Sequence, residues 1–259
     1  MIYFLIDKGV IMKRKLRLRK WVILLLIGIL LIGVIYYSYQ IFLWKYQVNE
    51  NSKIQKDIQE LIEYPKNSKE SYWIDFKSLK KINPDTVGYI KVNNTNIEYI
   101  VVQGKNNSYY LSHNFEKKWN RAGWVFADYR NQLDETDKNI ILYAHDTKDG
   151  SMFETLKNVL KEEWYKNPEN HEIIFITEQN TYHYKVFSSY SVIPEEYYIQ
   201  TNFNKESFSS FVKELKKRSI YDYQTEVTGN DKIITLSSCL NEGKKRVVLH
   251  AKLLEEKEK

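Results

Sequence analysis

The stretch KIITLSSCLNEGKKRVVLHAKL, residues 232–253, decides the fold. Two runs rich in β-branched residues, KIITLSS and RVVLHAKL, flank the polar loop LNEGKK. Side chains branched at Cβ are stiff and pack well on a pleated surface, and a short polar connection lets the second run return antiparallel to the first. The same pattern recurs upstream, from Thr86 onward, in VGYIKV, IEYIVVQ, GWVFAD, NIILYAH, EIIFIT and YHYKVFSSYSVI, bounded by Asn, Gly and Asp. Eight such runs predict a mainly β domain, a barrel or a curled sheet. Two interruptions read as amphipathic helices: residues 151–167, with Phe153, Leu156 and Leu160, and residues 204–219, with Phe208, Phe211, Val212 and Leu215.

Further toward the amino terminus the pattern changes. From Trp21 to Trp44 no residue is charged, and 24 residues of helix would reach about 36 Å, enough to cross a hydrocarbon layer of about 30 Å. The run ends in Tyr36, Tyr37, Phe42 and Trp44, which suit a membrane interface better than a signal-peptidase site. The basic cluster Lys13–Lys20 precedes it, so the positive-inside rule places the amino terminus in the cytoplasm and the body outside the cell. The expected organisation is a basic cytoplasmic segment over 1–20, a transmembrane helix over 21–44, a helical or spacer segment over 45–74 ended by Pro65, and an extracellular domain over 75–259.

A chain of 259 residues with 43% hydrophobic content can bury one sizeable core. Its net charge of +6 comes from the amino terminus, because seven of the 39 basic and one of the 33 acidic residues fall in 1–44, leaving 32 of each beyond. A formally neutral body offers no global footprint for a phosphate backbone, so no nucleic-acid partner is expected. Scattered Asp and Glu lack the spacing of a calcium loop, and neither a metal nor another cofactor is expected.

One cysteine, Cys239, cannot form an internal disulfide and is either inert core or chemistry. It stands at a strand end, where a side chain can leave the sheet. To react as a thiolate it needs an imidazole or a cation within reach. His145 ends NIILYAH and opens the loop DTKDGS, a similar strand-end position; His113 in YYLSHNF is a rival that spacing does not separate. His183 and His250 fall inside strand-like runs and read as ordinary sheet positions. Arg246 opens the last run, so an antiparallel return brings its guanidinium beside Cys239, where it can stabilise an oxyanion.

Taken together, TLSSC with Arg246 downstream and LYAHD upstream resembles the sortases, whose signature is a strand ending TLxTC, a following strand opening with arginine, and an earlier histidine. NPDTVGYIKVNNTNIEYIVVQGKNNSYYLSHNF and HDTKDGSMFETL resemble class B, over roughly residues 75–253. The resemblance implies a closed β-barrel of about eight strands with flanking helices. It implies Cys239 as nucleophile, His145 as the acid for the leaving amine, and Arg246 as substrate positioner and oxyanion partner. It also implies cleavage of an NPxTx-like sorting signal on a surface protein, and transfer to a cell-wall peptide or lipid-linked precursor amine. Asn107, Leu111, Tyr198, Ile199 and Ser237 are implied substrate contacts. Ala144, Ser238 and Leu240 depart from the family's usual glycine, threonine and polar residue. A papain-like cell-wall endopeptidase would need cysteine before histidine, the reverse of the order here; an anchored binding module with an inert Cys239 is the non-catalytic alternative.

Overall fold

The computed structural model describes residues 19–64, 72–240 and 243–258. The side chains of Cys239, Leu240 and Glu258 lie outside that description, as do the basic residues Lys13–Arg17, Pro65 with the following KNSKES, and Asn241 and Glu242 of the LNEGKK loop. Two compact units make up the chain, Met1–Lys45 and Tyr46–Lys259.

From Lys20 onward the first unit belongs to helix α1 (Lys20–Gln59), which is long and apolar enough to cross a membrane, its most apolar 18-residue window having a mean hydropathy of 2.5. Leu24, Leu30, Ile32 and Ile35 are all exposed. A helix apolar on all sides is stable in hydrocarbon and costly in water, which makes this one a candidate membrane anchor.

The second unit starts at Tyr46, inside the helical or spacer segment expected over 45–74. Residues 46–63 belong to the same unit as the barrel. Ile54 and Ile58, four residues apart on one face of the helix, and Ile62 just beyond its end join the main core. The buried polar residues of this stretch are satisfied as well: Asn120 Nδ2 donates to Gln47 O at 3.1 Å and to Asn51 Oδ1 at 2.9 Å. The helix stops at Gln59, before Pro65, and the chain enters a two-stranded ribbon of β1 (Ile62–Glu63) and β2 (Trp73–Ile74). Helix α2 (Phe76–Ile82) follows, with Asp75 capping it by accepting from Ser78 N at 2.9 Å.

All eight expected runs become strands: β3 (Thr86–Val92), β4 (Glu98–Val102), β5 (Phe126–Ala127), β6 (Asn139–Ala144), β7 (Glu172–Ile176), β8 (Asn180–Val192), β9 (Ile233–Leu240) and β10 (Lys245–Glu258). They close into a barrel in the order β10-β8-β7-β3-β4-β5-β6-β9, with β9 paired back to β10. Pairs β4–β5 and β6–β9 are parallel and the others antiparallel. Closure leaves the sheet without a free edge. It also demands close approaches: a Cβ on Gly88 would lie 2.8 Å from the Phe175 ring and 2.9 Å from Ile176 O, so the glycine in VGY is required by packing.

Strand β9 is buried on both faces. Ile234 and Leu236 join the main core, while Ile233 joins a second cluster beneath helix α4 (Lys205–Arg218). Phe208, Phe211, Val212 and Leu215 form the apolar stripe of α4, as their spacing predicts, and Asn204 with Ser207 closes a capping box at its start. A strand covered on both sides reads as a continuous apolar run rather than an alternating one.

The helix expected over 151–167 is corrected in form. A 3₁₀ segment (Glu154–Leu160) breaks at the extended Lys161 before the short helix α3 (Glu162–Lys166). The reason is visible in the buried set, Phe153, Leu156 and Val159, which repeats every three residues; that period fits three residues per turn better than 3.6.

Candidate functional site

Strand pairing sets the site's geometry. In the antiparallel ladder Cys239 of β9 lies directly opposite Arg246 of β10. In the parallel ladder Ala144 of β6 lies opposite Ser238 of β9, so His145 and Cys239 are the next residues along two neighbouring strands. The register thus places His145, distant in sequence, at the same end of the barrel as the strand positions of Cys239 and Arg246. For Cys239 this position in the strand is what is described.

A groove of about 420 Å³ opens at that end, and His145 and Arg246 both line it. So do Asn107, Leu111, Tyr198, Ile199 and Ser237, the five residues named above as substrate contacts. Phe126, Tyr143, Pro194, Glu196 and Ser238 line it as well. Sequence reasoning marked Ser238 only as a departure from the family pattern and did not single out the other four. Phe126 and Tyr143 stand opposite one another on β5 and β6, one of them two residues before His145, but a strand pattern does not say which of its aromatics face a groove.

His145 is held from both sides of its chain position. Its carbonyl accepts from Phe153 N at 3.0 Å, and Asp146 bridges Met152, so the loop 145–153 closes on itself. Its ring is half-buried, with Nε2 2.8 Å from Leu111 O. A carbonyl can only accept, so Nε2 carries a proton and the neutral ring keeps its lone pair on Nδ1. His113, the rival histidine, instead stacks on Tyr109 with centroids 4.0 Å apart and holds Tyr109 O at 2.8 Å through Nδ1.

Arg246 donates from Nη1 to Gly243 O at 2.9 Å and to Lys245 O at 3.1 Å. Among the described residues no carboxylate pairs with it. The carboxylate of Glu195 is drawn aside by Arg218, which also binds Glu214 at 3.0 Å and lies 4.7 Å from the Tyr197 ring. Tyr198 is buried in the α4 cluster and its hydroxyl meets Ser237 Oγ at 3.1 Å. The Ser238 hydroxyl is buried with no hydrogen-bond partner among the described residues. Chemically, the site combines a half-buried imidazole, a guanidinium without a carboxylate partner among the described residues and a largely apolar trough, an arrangement suited to acyl transfer on an extended peptide. Among the described residues no cluster of His, Cys, Asp and Glu could hold a metal.

Comparison with known proteins agrees with this geometry. A family model described as Sortase domain matches residues 90–254. The chain is 40% identical over 184 residues to Sortase B of Staphylococcus aureus, covering 69% of this chain and 74% of that protein. Its fold is similar to the crystal structure of sortase B from B. anthracis in complex with AAEK1, with a TM-score of 0.72, 35% identity, and coverage of 81% of this chain and 99% of the other. A sortase B complexed with triglycine is similar at a TM-score of 0.70 and 36% identity, covering 82% of this chain and 98% of the other.

Proposed function

This chain belongs to the sortase family, in its class B, and is a sortase-type cysteine transpeptidase; from that premise we propose that Cys239, His145 and Arg246 carry its chemistry. The observation that supports this assignment best is the strand register, which sets Cys239 opposite Arg246 and brings β6, ending just before His145, alongside β9. Family membership removes the papain-like and non-catalytic alternatives.

In the proposed reaction the Cys239 thiolate attacks the carbonyl carbon of threonine in an NPxTx-like signal. The carbonyl electrons move onto oxygen, and the Arg246 guanidinium donates to that oxyanion. Collapse of the tetrahedral intermediate breaks the C–N bond as protonated His145 gives a proton to the departing amine. Its Nε2 bond to Leu111 O leaves Nδ1 as the atom that carries this proton. An incoming amine then attacks the thioester, neutral His145 takes its proton, and the thiolate leaves. The amine belongs to a cell-wall peptide or a lipid-linked precursor; the similar protein complexed with triglycine supports a glycine-like acceptor. Asn107, Leu111, Tyr198, Ile199 and Ser237 contact the signal. The basic cluster before Trp21 supports a cytoplasmic amino terminus, with α1 as anchor and the barrel outside the cell.

The test is incubation of the enzyme with a quenched NPxTN peptide, with and without triglycine, followed by mass analysis. Cleavage with triglycine joined after threonine is expected. An intact peptide, or cleavage surviving in Cys239→Ala, would refute the proposed chemistry.

A further inference from the structure

Asp128 belongs to none of the residue sets discussed above, yet it is the most heavily hydrogen-bonded side chain near the groove. It follows the two-residue strand β5, and its main chain is fixed by Asp128 N donating to Ile141 O at 2.9 Å and by Gln103 Nε2 donating to Asp128 O at 2.8 Å. The side chain is 0% exposed. Its Oδ2 accepts from Asn107 Nδ2 at 2.8 Å, from Tyr143 OH at 2.9 Å and from Arg130 Nη2 at 2.7 Å. Its Oδ1 accepts from Arg130 Nε at 2.8 Å and from Arg130 N at 3.0 Å. Burial alone would raise this carboxyl, but the Arg130, Tyr143 and Asn107 hydrogen bonds outweigh it and hold it below the usual carboxylate range.

Two of these partners line the groove. These are Asn107 and Tyr143, while Arg130 Nη2 continues to Ile199 O at 2.8 Å, and Ile199 lines the groove from a different loop wall. The run Asn107–Asp128–Arg130–Ile199 therefore ties two loops more than 90 residues apart in sequence through one buried carboxylate. Asn107 also accepts from Tyr129 N at 3.0 Å through Oδ1. Its amide orientation is thus set by two different partners, and among the described residues one Nδ2 proton has no acceptor. An ordinary exposed ion pair contributes little, but a bidentate guanidinium on a fully buried carboxylate, shared with a backbone carbonyl, fixes geometry. The oxygens of Asp128 are already occupied, so it serves the groove through its neighbours and not by touching substrate.

We propose that Asp128 and Arg130 are a positioning pair that holds the two groove walls at one spacing and presents the Asn107 amide to the sorting-signal peptide, acting on substrate engagement and not on the chemical step. This rests on the peptide-binding role assigned to the groove above. A preformed trough lowers the ordering cost of binding an extended chain, so the pair's loss falls on KM.

The full chain in detergent provides the test, with Arg130→Gln as the main variant because Arg130 is partly exposed, and Asp128→Asn beside it. With the quenched peptide, Arg130→Gln is expected to raise KM about tenfold, the effect of one charge-assisted hydrogen bond, with kcat within about twofold. Combining it with Asn107→Ala should add less than the product of the single effects. Independently of any substrate, amide hydrogen exchange in Arg130→Gln should quicken about tenfold in both 106–112 and 196–200, while β3 and β7 keep their protection. Unchanged KM in an enzyme that turns over, additive effects in the double variant, or exchange that quickens in one wall or neither would overturn the proposal. A wild type that leaves the peptide intact would instead defeat the functional reading, and the exchange measurement would still decide whether the pair joins the walls.

Discussion

Strands β9 and β10 carry two polar sites with opposite characters. At one end Arg246 lines an open groove with His145, whose ring keeps one nitrogen uncommitted. Four residues along β10, His250 is fully buried and both its nitrogens are taken, Nδ1 by Thr235 Oγ1 at 2.8 Å and Nε2 by Tyr190 OH at 3.0 Å. Burial, with the nearby Arg218 charge, drives His250 down to about 3, so it stays neutral wherever the protein works. The same side chain lines an open groove in one place and is locked as a core pin in the other. What separates them is solvent and the number of ring nitrogens already satisfied.

The contrast breaks most sharply at the groove. Cys239→Ala is expected to lower transpeptidation by at least about 10⁴-fold, with the urea unfolding midpoint little changed. Full activity in that variant would erase the difference between the two ends. Arg246→Ala should cost about 10² to 10³ in kcat/KM through loss of oxyanion stabilisation, again without a large stability effect, as steady-state rates and a melting curve would show.

At the buried end the loss should appear in stability. His250→Leu removes one hydrogen bond each from the Tyr190 and Thr235 hydroxyls, Thr235 Oγ1 keeping its bond to Asn139 Oδ1 at 2.7 Å, and is expected to destabilise the fold by about 2–3 kcal/mol in urea titration while kcat of the folded fraction stays near that of the wild type. A smaller signature is its pH dependence. Because the folded pKa of His250 lies below that of the unfolded chain, the unfolded state binds the extra proton, and stability falls as pH drops below about 6.5. The slope contributed by this one residue approaches about 1.4 kcal/mol per pH unit and should vanish in His250→Gln, compared by unfolding between pH 4 and 6.5. An acid limb unchanged in that variant would assign the slope to other groups.

Much of this was legible in the residues themselves. Each of the eight β runs became a strand, because stiff branched side chains and polar boundaries are local properties that survive into the fold. The α4 stripe was equally local. The chain order of His145, Cys239 and Arg246, with their strand-end positions, was readable too. The 3₁₀ segment at Glu154–Leu160 was not, since Phe153, Leu156 and Leu160 are compatible with a helix until the barrel selects Val159 instead. Nor was the packing of residues 46–63, where polar Gln47 and Asn51 disguise a buried face by finding partners on the loop 120–123.

What the sequence by itself determined is the set of strands, the long apolar helix and the identity of the reactive residue types, all of which depend on composition and spacing within short windows. Only the tertiary structure decided which histidine shares the groove with Arg246, that β9 lies parallel to β6, and that Asp128 joins two distant walls. Those facts depend on barrel closure, which brings together residues whose sequence separation carries no local signal.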